Sequence, residues 1–368
     1  MRFCLKWAEK NSAVRKFFSL FGLRLNILVS FLLLLSYLAP FVPPDAFWPL
    51  AFLGLAYPYF LLVNLIFLLI WVLLRSRNLL LPLFVLGLGF NYFANTFRLI
   101  PHFKSKDAGI TLLSYNVHSF RAEQKGHRLN NPAILEYFKS VGADIICLQE
   151  GIHFKDGKLS PKGLTDALPG INYFHVVSSG NYSDLVTFSR YPILNKGEIR
   201  FSDSEILVLF SDIKIANNRM IRVYNCHLQS YSIDPDDYTV IDSLASGIND
   251  RQIGIAKKVS FKLKNGFILR SIQVRKLAEH IRKSPYPVVV CGDFNDTPVS
   301  YAYRKVRGEL NDAFVESGWW NSNTYNGQLP SFRIDYILAD KRFTLEDYSR
   351  DRVFFSDHFP VHSKLIFQ

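Results

Sequence analysis

The chain changes its hydrophobic rhythm once, near residue 106. Before that point the apolar runs are long and uncharged: residues 25–44, 46–74 and 78–97 contain no Asp, Glu, Lys or Arg. A helix rises ~1.5 Å per residue, so about 20 apolar residues cover the ~30 Å hydrocarbon layer of a bilayer. Each run is long enough. Pro49 and Pro58 shift the helical part of the middle run toward 59–74, and the expected transmembrane spans fall at about 25–44, 50–74 and 78–97. Pro43-Pro44-Asp45 and Arg75-Ser76-Arg77-Asn78 read as the turns between them.

From residue 109 onward short β-rich runs alternate with helices. Strands are expected at 110–115, 144–148, 173–177, 185–188, 206–215, 220–226, 287–291, 334–338 and 361–367, and helices at 132–140 and 271–283. In the second helix Ile272, Leu277 and Ile281 form an apolar stripe, with Arg275, Lys276, Arg282 and Lys283 turned away from it. The pattern predicts an α/β or α+β domain over 107–368 with at least one large mixed sheet. An N-terminal bundle of about three transmembrane helices over 1–106 precedes it.

Composition removes several classes of protein. With 49% hydrophobic and 15% aromatic residues the chain is not intrinsically disordered. Its four cysteines form no C-x-x-C pair, which excludes a disulfide framework, a structural zinc site and thioredoxin-like redox chemistry. Cys147, Cys226 and Cys291 lie at or near strand ends and read as small core residues.

The net charge of +12 and pI near 9.4 invite a nucleic-acid reading until the charge is mapped. Residues 1–106 hold eleven basic and two acidic groups; the remainder hold 32 and 29. Most of the excess thus belongs to the apolar segment, where it sets topology. The basic N-terminal arm and Arg75/Arg77, against a first loop without Lys or Arg, place the N-terminus in the cytoplasm. Three crossings then put the C-terminal domain on the extracytoplasmic, periplasmic face of the cell (inner) membrane. A cleaved signal peptide at 25–39 fits poorly, because Pro40 follows it and two more apolar runs come after.

Chemistry gathers where strands end. Asn116 and His118, Glu150, His227, Asp293 and Asn295, Asp335, and Asp357 with His358 each close or open an apolar run. Strand ends along one edge of a sheet converge, so these groups can form one acidic, histidine-bearing pocket. Hard oxygen donors without a Cys/His cluster suit Mg²⁺ or Mn²⁺. A histidine oriented by a carboxylate suits general base catalysis on water, and amides with a second histidine suit stabilisation of charge on a phosphate oxygen. Together they point to metal-assisted hydrolysis of a phosphoester.

Gly292-Asp293-Phe294-Asn295 and Ser356-Asp357-His358, in that order, resemble the endonuclease/exonuclease/phosphatase superfamily, the deoxyribonuclease-I-like fold, over 109–368. The resemblance implies a four-layer α/β/β/α sandwich of two mixed sheets with the site at one rim. It implies that Glu150 is the principal metal ligand, with Asn116 and Asp357 in or beside the metal shell. His358 resembles the general base and Asp335 the carboxylate that orients it. Asp293 and Asn295 would place the water and contact the phosphate, and His227 would hydrogen-bond the scissile phosphate or protonate the leaving group. Which of Asp293 and His358 takes the proton stays open, as does one metal against two.

Where apurinic endonucleases carry an Asp two residues after the first Asn, this chain has His118, either a residue that supports a metal ligand or a strand-end polar residue. Where they carry a catalytic Tyr, it has Asn225-Cys226-His227-Leu228. Both departures resemble the branch of nonspecific deoxyribonucleases, sphingomyelinases and inositol-polyphosphate phosphatases. The expected protein is a membrane-anchored, Mg²⁺- or Mn²⁺-dependent phosphoesterase acting on a phospholipid head group. A nonspecific extracytoplasmic endonuclease or exonuclease is the alternative, and a catalytically inactive binding domain is the alternative of another class. The lipid bilayer and the phosphoester are the expected partners, with no obligate protein partner evident.

Asp296 is expected to cap a helix near 299–306. Asp335 has the alternative of pairing with Arg333, and 189–192 reads as a structural turn. Residues 251–283 hold ten basic groups and one acidic, preceded by Asp234, Asp236, Asp237, Asp242 and Asp250. That stretch is either a solvated helical face neutralised by those acids, or a surface for anionic head groups or a polyanion.

Overall fold

A computed structural model describes residues 20–100, 108–118, 131–151, 160–178, 184–201, 204–231, 250–327 and 331–368. The first strands are β1 Phe97–Arg98, β2 Ile110–Asn116, β3 Ile145–Gln149, β4 Tyr173–Ser178, β5 Asp184–Ser189, β6 Ile193–Phe201 and β7 Ser204–Lys214. They are followed by β8 Met220–His227, β9 Val288–Asp293, β10 Asn311–Asp312, β11 Trp320–Asn321, β12 Asp335–Ala339, β13 Phe343–Arg350 and β14 Val361–Phe367. One six-stranded sheet runs β10-β12-β9-β8-β7-β6 and the other β13-β14-β2-β3-β5-β4. Each has one parallel pair, β8 with β9 and β2 with β3, so both sheets are mixed.

Alternation along the strands explains the layering, since every second side chain points to the same face. Leu112, Cys147, Val223, Cys291, Ile337 and Val361 meet in one cluster between the two sheets. On the outer face of one sheet Tyr224, Val290 and Tyr336 pack under helices Asp250–Arg282 and Tyr301–Arg307. On the outer face of the other, Leu113, Ile146 and Phe188 pack under Asn131–Val141 and Pro161–Ala167. The result is the expected order of helix, sheet, sheet, helix. Cys147, Cys226 and Cys291 are buried free thiols, as their strand positions imply.

The differences from the sequence pattern fall at edges. β6 and β13 were not expected: each is the outermost strand of its sheet, so polar residues such as Lys196 and Glu198 fill it. The helix expected at 271–283 begins at Asp250, because its N-terminal half is exposed and lacks an apolar stripe. Asp296 does not cap the next helix. Ser300 does, accepting from the Tyr303 amide, while Asp296 faces the Arg270 guanidinium at 3.3 Å. Arg333 pairs with Asp312 at 2.9 Å, which leaves Asp335 free of it.

Four of the ten basic groups have the following polar partners within the fold. Arg270 meets Asp296, Arg275 meets Asp45, Lys276 donates to the Arg200 carbonyl and Lys283 to Glu279. Asp234, Asp236, Asp237 and Asp242 lie outside the described residues.

The apolar N-terminal segment departs from three straight spans. Among the described residues no single helix is long and apolar enough to cross a membrane. Leu20–Ser36 is a shorter apolar helix. Two bent pairs reach the length and composition together: Pro49–Leu55 with Tyr57–Leu73 at 59°, and Arg77–Leu88 with Phe90–Thr96 at 63°. Proline in the first turns of two of these helices and Gly89 at the second bend mark the breaks.

The segment is docked on the C-terminal domain. Arg275 grips Asp45 through two contacts of 2.8 and 2.9 Å, and Arg333 donates to the Asn95 carbonyl at 2.7 Å. Val299 sits in the cluster of Leu33, Tyr37 and Tyr57, and β1 pairs with β11.

Candidate active site

Register explains why the chemical groups meet. In the parallel pair β2–β3 Asn116 lies opposite Gln149, so Glu150 emerges one residue beyond it. In the parallel pair β8–β9 His227 lies opposite Asp293, and in β12–β9 Asp335 lies opposite Asp293. β14 starts beside the end of β2, with Val361 opposite Ser114, which brings Asp357 and His358 to the same rim. Backbone geometry sharpens the turn out of each strand: Glu150, His118 and Asn295 hold positive φ of 56°, 41° and 52°. At Gly292, with φ 125°, an added Cβ would run into the Cys226 backbone, so only glycine permits this approach of β9 to β8.

Every residue expected at the site is in one cluster. Asn116 is buried and donates its amide to Glu150 Oε1 at 2.9 Å and to Asp293 Oδ2 at 3.1 Å, while its Oδ1 accepts from the His118 amide. His227 Nε2 approaches Glu150 Oε1 to 3.3 Å and Asp293 Oδ2 to 3.9 Å. His118 Nδ1 lies 3.3 Å from Glu150 Oε2 and 3.6 Å from Asp357 Oδ1, touching two carboxylates from the rim. Asn295 donates its side-chain amide to Asp293 and to the Leu228 carbonyl, and its backbone N–H to Asp293 Oδ1 at 2.7 Å. His358 Nδ1 meets Asp335 Oδ2 at 3.0 Å, and its Nε2 faces Asp293 Oδ2 at 3.8 Å.

The electrostatics follow from burial set against these neighbours. Burial alone would raise the Glu150 carboxyl, but contacts from His118, His227 and Asn116 hold it well below the usual carboxylate range. Burial raises Asp293 to about 6, against the pull of His358 and with a further push from Asp335. Burial would favour neutral His358, yet the Asp335 and Asp293 carboxylates carry its imidazole well above the ordinary value. Cys226 is pushed far up by burial, which keeps this thiol out of the chemistry.

The donor set fits a divalent cation. Glu150, His227 and Asp293 bring ligand atoms within 4.8 Å of one another, as do Asp293, Asp335 and His358. Asp335 Oδ1 and His227 Nε2 are buried without an aligned hydrogen-bond partner, as polar atoms aimed at a ligand site are. Oxygen donors dominate, which suits a hard cation.

Sequence reasoning missed the layer beneath the site. Gln149 Nε2 donates to Asn225 Oδ1 at 2.8 Å, and Asn225 Nδ2 donates to the Leu148 and Val186 carbonyls, stitching the two sheets together under Glu150 and His227. Strand alternation was the available signal, because it turns both residues into the inter-sheet space. Thr324 Oγ1 accepts from the Ile334 and Asp335 amides, and Tyr325 sets its ring edge-on to His358 at 5.4 Å. Nothing in the local sequence marks those two.

The class is thus a two-sheet α/β sandwich with a histidine–carboxylate centre at one rim. A model of the endonuclease/exonuclease/phosphatase family matches residues 113–358, and a model described as a domain of unknown function matches residues 15–96. The chain belongs to the endonuclease/exonuclease/phosphatase family and is a hydrolase of phosphate ester bonds. No curated protein matches the sequence.

Similar solved structures include a mannosyl-6-phosphatase from Bacteroides thetaiotaomicron, at 20% identity over 70% of this chain and 100% of its own, with a TM-score of 0.47. A family protein from the same organism aligns at 19% identity over 71% and 98%, with a TM-score of 0.47. The human nocturnin catalytic domain aligns at 16% identity over 71% and 95%, with a TM-score of 0.49.

Proposed function

We propose that this protein is a membrane-anchored, divalent-metal-dependent phosphoesterase that acts on a phospholipid head group at the extracytoplasmic surface. The observation that carries the catalytic part is the convergence of Glu150, Asp293 and the Asp335–His358 pair in one buried cluster at the sheet rim. Glu150, with Asp357 and Asn116 beside it, would hold Mg²⁺ or Mn²⁺, which when bound supplies Lewis acidity toward a phosphate oxygen and a lowered pKa for water.

The chain's own residues do the rest. Asp335 orients the His358 imidazole through its Nδ1. His358 Nε2 and Asp293 Oδ2, 3.8 Å apart, are the two groups placed to take the proton of an attacking water. Asn295 keeps Asp293 aimed at that gap. His227, buried beside Glu150, is placed to donate to the phosphate or the leaving oxygen.

The membrane part rests on the apolar segment. Leu28, Phe31, Leu62, Leu69, Leu73 and Phe84 are all more than half exposed, a density of bare apolar surface that water does not tolerate. Its polar groups are turned inward instead: Trp71 Nε1 donates to Asn26 Oδ1 at 3.0 Å and Ser30 Oγ to Asn64 Oδ1 at 2.7 Å. Helix-to-helix bonds of that kind hold helices together in lipid. Asp45 and Asn95 both touch the catalytic domain, while Arg75 and Arg77 lie beyond the Tyr57–Leu73 helix. That arrangement supports a cytoplasmic arginine turn and an extracytoplasmic active site. Exposed Trp48, Trp319 and Trp320 near the junction match an interfacial aromatic belt.

The full chain in phospholipid vesicles should release head groups in a Mn²⁺-dependent manner. Plasmid nicking without head-group release would instead make it a nuclease.

A further inference from the structure

A cleft of about 470 Å³ opens where the apolar segment meets the Tyr301–Arg307 helix. One wall carries Arg304 and Arg307; the other carries Phe41, Leu88 and the amides of Asn91 and Asn95. The Arg304 guanidinium lies 4.2 Å from the Phe41 ring centroid. Arg307 donates to Asn95 Oδ1 at 2.9 Å and to the Tyr303 hydroxyl at 3.0 Å. Neither meets a carboxylate among the described residues. Of the nearby acids, Asp312 is engaged by Arg333 and Tyr303, and Glu309, which also lines the cleft, pairs at the surface with Lys341. The carbonyl end of the helix offsets only part of two full charges.

The cleft continues onto an apolar track. Leu80, Phe84 and Leu88, four residues apart on helix Leu80–Leu88, are 61%, 64% and 57% exposed, and Leu88 itself lines the cleft. We infer that this cleft binds an anionic phospholipid, its phosphate between Arg304 and Arg307 and an acyl chain along the Leu80–Phe84–Leu88 face. The paired guanidinium charges match a phosphate, the volume is that of a small-molecule pocket, and the apolar track continues from Leu88 in its lining. The inference rests on the membrane anchoring proposed above and is independent of the catalytic roles.

The test uses the full chain in nanodiscs of phosphatidylcholine with or without phosphatidylglycerol, with retained lipid counted by native mass spectrometry. Phosphatidylglycerol should be retained at least about tenfold over phosphatidylcholine, and Arg304→Gln and Arg307→Gln should each abolish that preference. Equal retention of the two lipids, or a preference unchanged in both variants, overturns the inference. Millimolar inorganic phosphate should leave retention intact; displacement by phosphate would assign the cleft to a free anion and overturn the lipid assignment. Hydrolysis of bis-p-nitrophenyl phosphate should stay at the wild-type level in both variants, so a failure here is distinguishable from a failure of the catalytic reading.

Discussion

Asp335 Oδ2 lies 3.0 Å from His358 Nδ1, a contact that joins the first residue of β12 in one sheet to the loop before β14 in the other. The pair exists only because the two sheets are packed, so the imidazole is oriented by the fold itself.

Asp335→Asn should therefore lower kcat on bis-p-nitrophenyl phosphate by about 100-fold or more, with little change in KM, since it disturbs proton transfer and leaves phosphate contacts in place. Steady-state kinetics check this. Unchanged kcat would remove Asp335 from the mechanism.

Asp296→Asn should cost about 3–5 kcal/mol of stability. It leaves the fully buried Arg270 guanidinium without its counter-charge. Asp45→Asn should cost less than about 1 kcal/mol, because Asp45 and Arg275 are each about a third exposed and water screens the pair. Denaturant melts of the two variants, compared with wild type, give the contrast directly.

His175 is buried with Nδ1 3.0 Å from Ser211 Oγ, and burial depresses its pKa to about 4. An unfolded histidine titrates near 6.5. Above that pH both states are neutral and the group contributes no slope. As pH falls from 6.5 toward 4 the unfolded chain takes up the proton first, so stability is lost across that window. His175→Gln should flatten this part of the stability profile, measured by thermal or denaturant melts at stepped pH.

Much of this was legible in the sequence for physical reasons. The inner strands of both sheets are apolar and bounded by turns, and the polar residues that end them mark the rim; Asn116, Glu150, His227, Asp293, Asp335 and His358 all converge as the strand ends implied. Edge strands β6 and β13 were not legible, because half-solvated strands carry no distinctive apolar run. Asp296 looked like a helix cap from its spacing, but its partner Arg270 is distant in sequence and only packing brings them together. The breaks in the apolar segment were partly visible in Pro49 and Pro58, whereas the bend at Gly89 was not expected.

Turnover of bis-p-nitrophenyl phosphate by the full chain with Mn²⁺, with and without chelator, in wild type and Glu150→Gln, bears most directly on the central claim. Chelator-reversible hydrolysis that loses most of its rate in the variant is the predicted result. Hydrolysis indifferent to chelator and to Glu150, or none on this ester, DNA or phospholipid, would contradict it.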